Sequence, residues 1–133
     1  MNQSSQASFA PMLTIRKGVQ KKDFEFYKKA IGAIELRSFD NDDGSVHVME
    51  MSVDGAVFHF HEENIQKRNM SPEMARCVTS VIGLMVPDVD KIMAQAEQAG
   101  AKISSPAQNY DYGYRQGEFI DLMGHHWQIG KVI

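Results

Sequence analysis

Two histidines, His59 and His61, are the clearest candidates for chemistry in this chain of 133 residues. They stand two positions apart in an alternating apolar segment typical of a β-strand, so both side chains project from one face. His126 and Gln128 have the same spacing near the carboxyl end and share a face in the same way. Imidazole is the commonest metal ligand and titrates near neutral pH. The spacing could therefore serve metal binding, ligand binding or proton transfer.

A structural role is the alternative for each histidine. His61 is followed by Glu62 and Glu63, a context typical of the mouth of a site rather than its interior. His125 and His126 follow a Gly and could serve a turn and the packing behind it. Both interpretations stay open at the level of the sequence.

Three further side chains are candidates of a different kind. Glu50, in an alternating strand, would have a raised pKa if it faced inward, but a solvated Glu50 is the favoured interpretation. Arg115, next to Tyr114, could bind an anionic or planar ligand through its fork of donors, or form a stacked surface pair, which is favoured. Cys77 has no neighbouring histidine, and no Gly-rich phosphate loop is present.

The elements that must position these residues occur twice in the chain. Residues 14–36 and 82–104 share one plan, which is a short apolar run, a breaker, a helix of about three turns, Gly-Ala and a β-prone segment. A repeat of this length indicates two copies of one supersecondary unit. Ligands favour the cleft or seam that such a pair leaves between its halves.

Each half reads as a βαβββ module. The first contains strand 12–16, helix 20–31 and strands 34–39, 46–53 and 56–61. The second contains strand 81–86, helix 88–99 and strands 101–104, 112–122 and 126–132, with a loop around Pro106. The sequence predicts one α+β domain over 11–133, with modules 11–65 and 80–133, a connector 66–79 and a flexible segment 1–10. The connector contains Ser71-Pro72-Glu73, a typical helix start.

Composition excludes several classes of partner. With 43% hydrophobic and 23% charged residues the chain suits one compact domain. A formal charge of −3 and scattered lysines and arginines leave no basic face for nucleic acid or anionic lipid. No signal peptide or apolar run of about 18 residues occurs. Because Cys77 is the only cysteine, no intramolecular disulfide can form, and we expect a cytoplasmic protein.

Three segments carry a resemblance to a known family. FEFYKKAIGA, VPDVDKIMAQAEQAGA and YGYRQGEFIDLMGHHWQIG occur in this order at module spacing. They resemble motifs of the glyoxalase/bleomycin resistance/dioxygenase (vicinal oxygen chelate) superfamily, the last one those of its PhnB-like branch. The resemblance implies two βαβββ modules that form a curved mixed sheet around a cavity, and frequently a homodimer.

The resemblance also implies where a metal would bind. In enzymatic members four residues, one from the first and last strand of each module, hold a divalent ion, and they correspond here to Met12, His59, Val81 and Gln128. Only His59 is a good ligand, because Gln128 is weak, Val81 has no donor atom and the Met12 thioether suits Cu(I). A catalytic divalent ion usually has about three protein ligands and an open position. We therefore expect no cofactor and no glyoxalase, transferase or dioxygenase chemistry of the usual kind.

Two hypotheses follow. The favoured one is a metal-independent binding protein for a planar or amphipathic small molecule, like the bleomycin-sequestering relatives, and it requires nothing that the sequence lacks. Its predicted ligand-binding residues are His59, His61 and Gln128, with Tyr114 and Arg115 at the rim. The alternative is a metal-dependent lyase, isomerase or dioxygenase-type enzyme. Its non-standard metal site would consist of His59, His61, His126 and Gln128.

Overall fold

The computed structural model describes residues 6–133. Its strands are β1 (Met12–Ile15), β2 (Ile34–Asp40), β3 (Val46–Val53), β4 (Ala56–Glu62), β5 (Val81–Met85), β6 (Lys102–Tyr110), β7 (Tyr114–Ile120) and β8 (His126–Val132). Its α-helices are α1 (Glu25–Ile31), α2 (Pro72–Ala75) and α3 (Val89–Gln98). Short 3-10 turns precede α1 and α2, at Lys21–Phe24 and Ile65–Lys67. Within 6–133, no helix combines the length and hydropathy needed to cross a membrane.

The strands form two four-stranded mixed sheets, one from each module. Sheet 1 has the order β1-β4-β3-β2 and sheet 2 has the order β5-β8-β7-β6. In each sheet the first strand pairs in parallel with the last, and the other pairs are antiparallel. The predicted α+β class with two βαβββ modules is confirmed. The flexibility of residues 1–10 stays a prediction, since 1–5 lie outside the described residues and 6–10 form neither helix nor strand.

The two long helical segments begin and end where local chemistry requires. The turn before α1 is closed by Gln20 and Asp23, whose carboxylate accepts the Gln20 backbone N–H at 2.8 Å. The Asp23 backbone N–H donates to the Gln20 carbonyl oxygen at 2.9 Å, an i to i+3 bond, so this segment is a 3-10 turn and not the start of the α-helix predicted from residue 20. Gly32 ends α1 with φ 71°, which glycine adopts without steric cost. Asp88 caps α3 by accepting the Lys91 N–H at 3.1 Å.

Strand β6 differs from the prediction. The sequence placed a strand at 101–104 and a loop around Pro106, whereas β6 continues to Tyr110. It can contain a proline because it is an edge strand, where a missing N–H need not break a ladder. The register shifts on both sides of Ser105 accommodate the irregular backbone.

Helix α1 covers one face of sheet 1, where Tyr27 packs against Phe58, and α3 covers one face of sheet 2. We call these the helix faces, and α1 and α3 also contact each other. The two helix faces share one aromatic core. Phe26 lies edge-on to Phe119 with ring centroids 6.1 Å apart, and Tyr27 and Phe58 lie 6.2 and 5.6 Å from Trp127. The modules are thus joined on the helix side. The opposite face of each sheet, which we call the open face, has no helix over it within residues 6–133.

Asp121 is the polar centre of that core. This carboxylate is buried at the end of β7 and accepts four hydrogen bonds. One oxygen accepts from the Tyr27 hydroxyl at 2.8 Å and the Trp127 indole at 2.9 Å, and the other accepts from the backbone N–H groups of Met123 and His125 at 2.8 and 3.0 Å. Burial, followed by the charge of Asp121, raises the pKa of Tyr27 well above its ordinary value. Asp121 therefore stays bonded to a protonated Tyr27 and links module 2 to α1.

We expect Tyr27→Phe to destabilise the protein by about 1.5–3 kcal/mol, because the change removes a hydrogen bond to a buried charge. Urea denaturation measures the loss. Tyr112→Phe is the matched control, since that hydroxyl bonds Gln116 on an exposed surface and its loss should have little effect. Equal losses in the two variants would contradict a central role for Asp121.

Candidate functional site

The open face of sheet 1 carries the predicted histidine pair. Phe58 and Phe60 of β4 are buried on the helix face, so His59 and His61 between them project from the open face. The strand register aligns Met12 and Glu50 with His59. This face therefore presents imidazoles beside a thioether and a carboxylate.

The two imidazoles form one stacked unit. Their ring centroids lie 5.8 Å apart with an interplanar angle of 22°. The Nε2 atom of His61 is buried and has no hydrogen-bond partner among the described residues. Burial, and then the proximity of His59 and His47, lowers the pKa of His61, and Glu50 opposes this shift. His61 is thus a neutral ring with an unsatisfied nitrogen at neutral pH.

Glu50 lies on the open face but is not a free acid or base. Both carboxylate oxygens accept from the Arg37 guanidinium, at 3.0 and 3.1 Å. The pKa of Glu50 is lowered, chiefly by this hydrogen bonding, with burial opposing and the charges of Arg37, His59 and His61 contributing further. The pKa of Glu50 is therefore not raised as the sequence predicts for an inward carboxylate, because the Arg37 guanidinium outweighs the effect of burial.

The open face of sheet 2 carries amides and tyrosines. Gln128 accepts a 3.2 Å hydrogen bond from Gln116, whose carbonyl oxygen accepts from the Tyr112 hydroxyl at 2.5 Å. The ring of Tyr112 lies 5.3 Å from that of Tyr110 and 5.9 Å from that of Tyr114. A hydrogen-bonded amide pair thus borders an aromatic cluster. The alternating Tyr-x-Tyr-x-Tyr spacing is the sequence signal that could have indicated it.

Arg115 lies on the other side of sheet 2. Its side chain contacts Asp90 of α3 with two bonds, Nη2 to Oδ1 at 2.7 Å and Nε to Oδ2 at 3.0 Å, and donates to Asn109 at 3.1 Å. The pKa of Asp90 is lowered, first by this hydrogen bonding. Arg115 therefore points away from Tyr114 and ties β7 to α3, and the structure does not bring it together with the open-face residues.

The residues at the inherited metal positions do not fit a divalent ion. Met12 and His59 are register neighbours in sheet 1, whereas Val81 aligns with His126 and Gly83 aligns with Gln128 in sheet 2. Val81 has no donor side chain, and neither has Gly83, the strand neighbour of Gln128. His59 is then the one good ligand in the set.

The non-standard site of the alternative hypothesis is divided between sheets. His59 and His61 belong to β4, whereas His126 and Gln128 belong to β8. Over residues 6–133, no group of three His, Cys, Asp or Glu side chains is placed to hold one metal ion. The chain by itself therefore presents two separate polar faces and not one assembled ligand sphere.

The fold and these faces define the class of protein. Residues 11–129 match the family model of the Glyoxalase/Bleomycin resistance protein/Dioxygenase superfamily. The match spans most of the chain and both modules, and this chain belongs to that superfamily.

Particular relatives agree with this assignment. An uncharacterized protein of Mycobacterium bovis is 29% identical over 112 residues, which are 82% of this chain and 74% of the relative. The crystal structure of TioX from Micromonospora sp. ML1 superposes with a TM-score of 0.68 at 19% identity, and the superposition covers 95% of this chain and 100% of TioX. A superfamily member from Sphaerobacter thermophilus gives a TM-score of 0.68 at 17% identity, covering 94% and 98%. At these identities the structural matches establish the fold.

The stability of the protein should depend on pH through His61. Because folding lowers the pKa of His61, the unfolded chain binds the proton more tightly, so stability is highest above about pH 6.5 and falls as pH drops below that value. We expect His61→Gln to flatten this fall, measured as the free energy of unfolding at pH 7.5 and pH 5.5. Parallel pH profiles for the variant and the native protein would show that His61 is not the cause.

Proposed function

We propose that this superfamily member is a metal-independent binding protein for a planar or amphipathic small molecule, and that the open faces of both sheets form its site. The observation that carries the proposal is the donor set at the inherited metal positions. One good ligand among Met12, His59, Val81 and Gln128 does not support the chemistry of the enzymatic members.

The open faces have the composition of a ligand site. The stacked histidines of sheet 1 and the Gln116–Gln128 amide pair of sheet 2 stand beside exposed apolar side chains, as in sites where a few polar contacts orient a mostly apolar ligand. In our proposal His59 and His61 contact the ligand from sheet 1, and Gln128 and Tyr114 contact it from sheet 2. Arg115 is excluded because it is bound to Asp90 on the helix face.

Exposed apolar side chains on the same faces support a homodimer. Met12 of β1 is 60% exposed, and Val81, Met85 and Val132 of sheet 2 are 51%, 57% and 66% exposed. Large apolar side chains exposed on neighbouring strands, as on β5 and β8, are typical of an interaction site. A second copy laid over the open faces would cover these side chains and enclose the ligand between two sheets.

Two finer assignments complete the proposal. The first is membership of the PhnB-like branch of the superfamily, which the resemblance of the carboxyl-terminal segment YGYRQGEFIDLMGHHWQIG to that branch supports. The second is a location in the reducing cytoplasm, which suits the single cysteine of the chain, Cys77, because it is exposed and free.

A thermal-shift screen of aromatic and amphipathic compounds tests the function. We expect a stabilising ligand whose effect is unchanged by EDTA and is weakened in Gln128→Leu. The melting temperature of unliganded Gln128→Leu should stay within a few degrees of the native value, because Gln128 is half-buried and water can satisfy Gln116. Arg115→Leu is the control, and it should bind the ligand as the native protein does.

Elemental analysis of the same preparation, made without a histidine tag, should find far less than one equivalent of Ni, Zn, Fe or Mn. Stoichiometric metal that is lost in His59→Ala would overturn the metal-independent assignment. A large drop in melting temperature of Gln128→Leu, with no stabilising compound, would assign these residues to the scaffold.

A further inference from the structure

A cavity lies at the seam between the modules, away from His59, His61 and Gln128. It has a volume of about 540 Å³ and is bordered by β1, β5 and the connector, so we call it the connector cavity. Its size falls within the usual range for small-molecule sites, roughly 300–1,000 Å³. Met12 borders both the connector cavity and the open face of sheet 1, whereas His59, His61 and Gln128 do not line the cavity.

The connector cavity is lined by apolar and neutral polar residues and by one cationic side chain. Apolar walls come from Leu13, Met70, Val78 and Ile82, and the guanidinium of Arg68 is the charged group. Among the described residues, no Asp or Glu lines the cavity, and its other polar groups are chiefly the hydroxyls of Thr14, Thr79 and Ser80 and the ring of His125. A cavity with apolar walls, neutral hydroxyls, one cation and no carboxylate suits a ligand with an apolar body and an anionic end.

Arg68 has no partner inside the described part of the chain. Arg16, Arg37 and Arg115 each pair with a carboxylate, whereas no ion pair or side-chain hydrogen bond holds the Arg68 guanidinium. His125 also lines the cavity, but its Nε2 lies 2.8 Å from the Thr14 carbonyl oxygen and is already bonded. Arg68 is therefore the charged donor that remains for a ligand.

The connector wall is held in place by specific contacts. The buried Glu63 carboxylate accepts the Ser71 N–H at 3.1 Å, and Ser71 in turn caps α2 by accepting from Met74 at 3.2 Å. Gly124 allows close packing of the wall, since a Cβ at this position would lie 2.9 Å from Pro72. These contacts give the cavity a preformed wall, which lowers the entropic cost of binding.

We propose that the connector cavity binds an amphipathic organic anion, a carboxylate with an apolar tail, and that Arg68 binds the carboxylate. This site is additional to the one on the open faces. A ligand there would contact β1, β5 and the connector at once, and so would hold both modules.

Decanoate is the probe, and Cys77 is the reporter because it lines the cavity and is the only cysteine. Alkylation by the uncharged reagent N-ethylmaleimide, followed by mass spectrometry, should be slowed by decanoate in a saturable way. Decanol and decyltrimethylammonium, which share the chain but lack the anion, should give much weaker protection.

Arg68→Gln should raise the decanoate concentration for half-protection by about tenfold or more, as expected for the loss of a charge-assisted bond. Arg76→Gln is the matched control, because Arg76 is in the connector with a similar backbone, φ 61° against 59°, but does not line the cavity. It should keep the native protection ratio. Calorimetric titration with decanoate gives a readout that does not depend on Cys77.

The proposal is overturned if decanoate does not protect Cys77, if decanol protects equally well, or if Arg68→Gln and Arg76→Gln behave alike. Failure here is distinguishable from failure of the open-face site. Arg68→Gln should leave stabilisation by an open-face ligand unchanged, and Gln128→Leu should leave decanoate binding unchanged.

Discussion

The buried carboxylate of Asp121 is the constraint on which the arrangement of the two modules depends. A buried charge is tolerated only when hydrogen bonds satisfy it, and one of its four donors, the Tyr27 hydroxyl, comes from the other module. The Trp127 indole, bonded to the same oxygen, lies against Tyr27 and Phe58. This network joins the helix faces of both sheets in one buried core, and the open faces lie outside that core.

The separation of helix faces from open faces explains where the polar residues that could bind a ligand are found. The histidine pair on sheet 1 and the amide and tyrosine groups on sheet 2 lie opposite the core, among exposed apolar side chains. Groups that look reactive in the sequence but face the helices have structural partners instead, as the pairing of Arg115 with Asp90 shows. The proposed function uses the polar groups of the open faces, which stand beside exposed apolar side chains, to recognise a ligand.

The sequence predicts the parts of this fold that depend on local periodicity. The repeated βαβββ plan and the common face of His59 and His61 follow from the spacing of apolar residues. Contacts between distant segments could not be predicted: the Tyr27–Asp121 bond joins residues far apart in the chain, and the face of Arg115 depended on where α3 places Asp90. Strand β6 passes Pro106 because it is an edge strand, a position that only the sheet order reveals.

In the proposed function a second copy of the chain covers the open faces and completes the ligand site. Light scattering at micromolar concentration distinguishes the dimer from the monomer, and we expect a mass twice that of the 15.0 kDa chain. Met85→Lys, on the open face of sheet 2, should give a monomer, whereas Met74→Lys should remain a dimer, since Met74 is equally exposed, 56% against 57%, but lies on α2 in the connector. A native protein with the mass of one chain would show that no second copy completes the site.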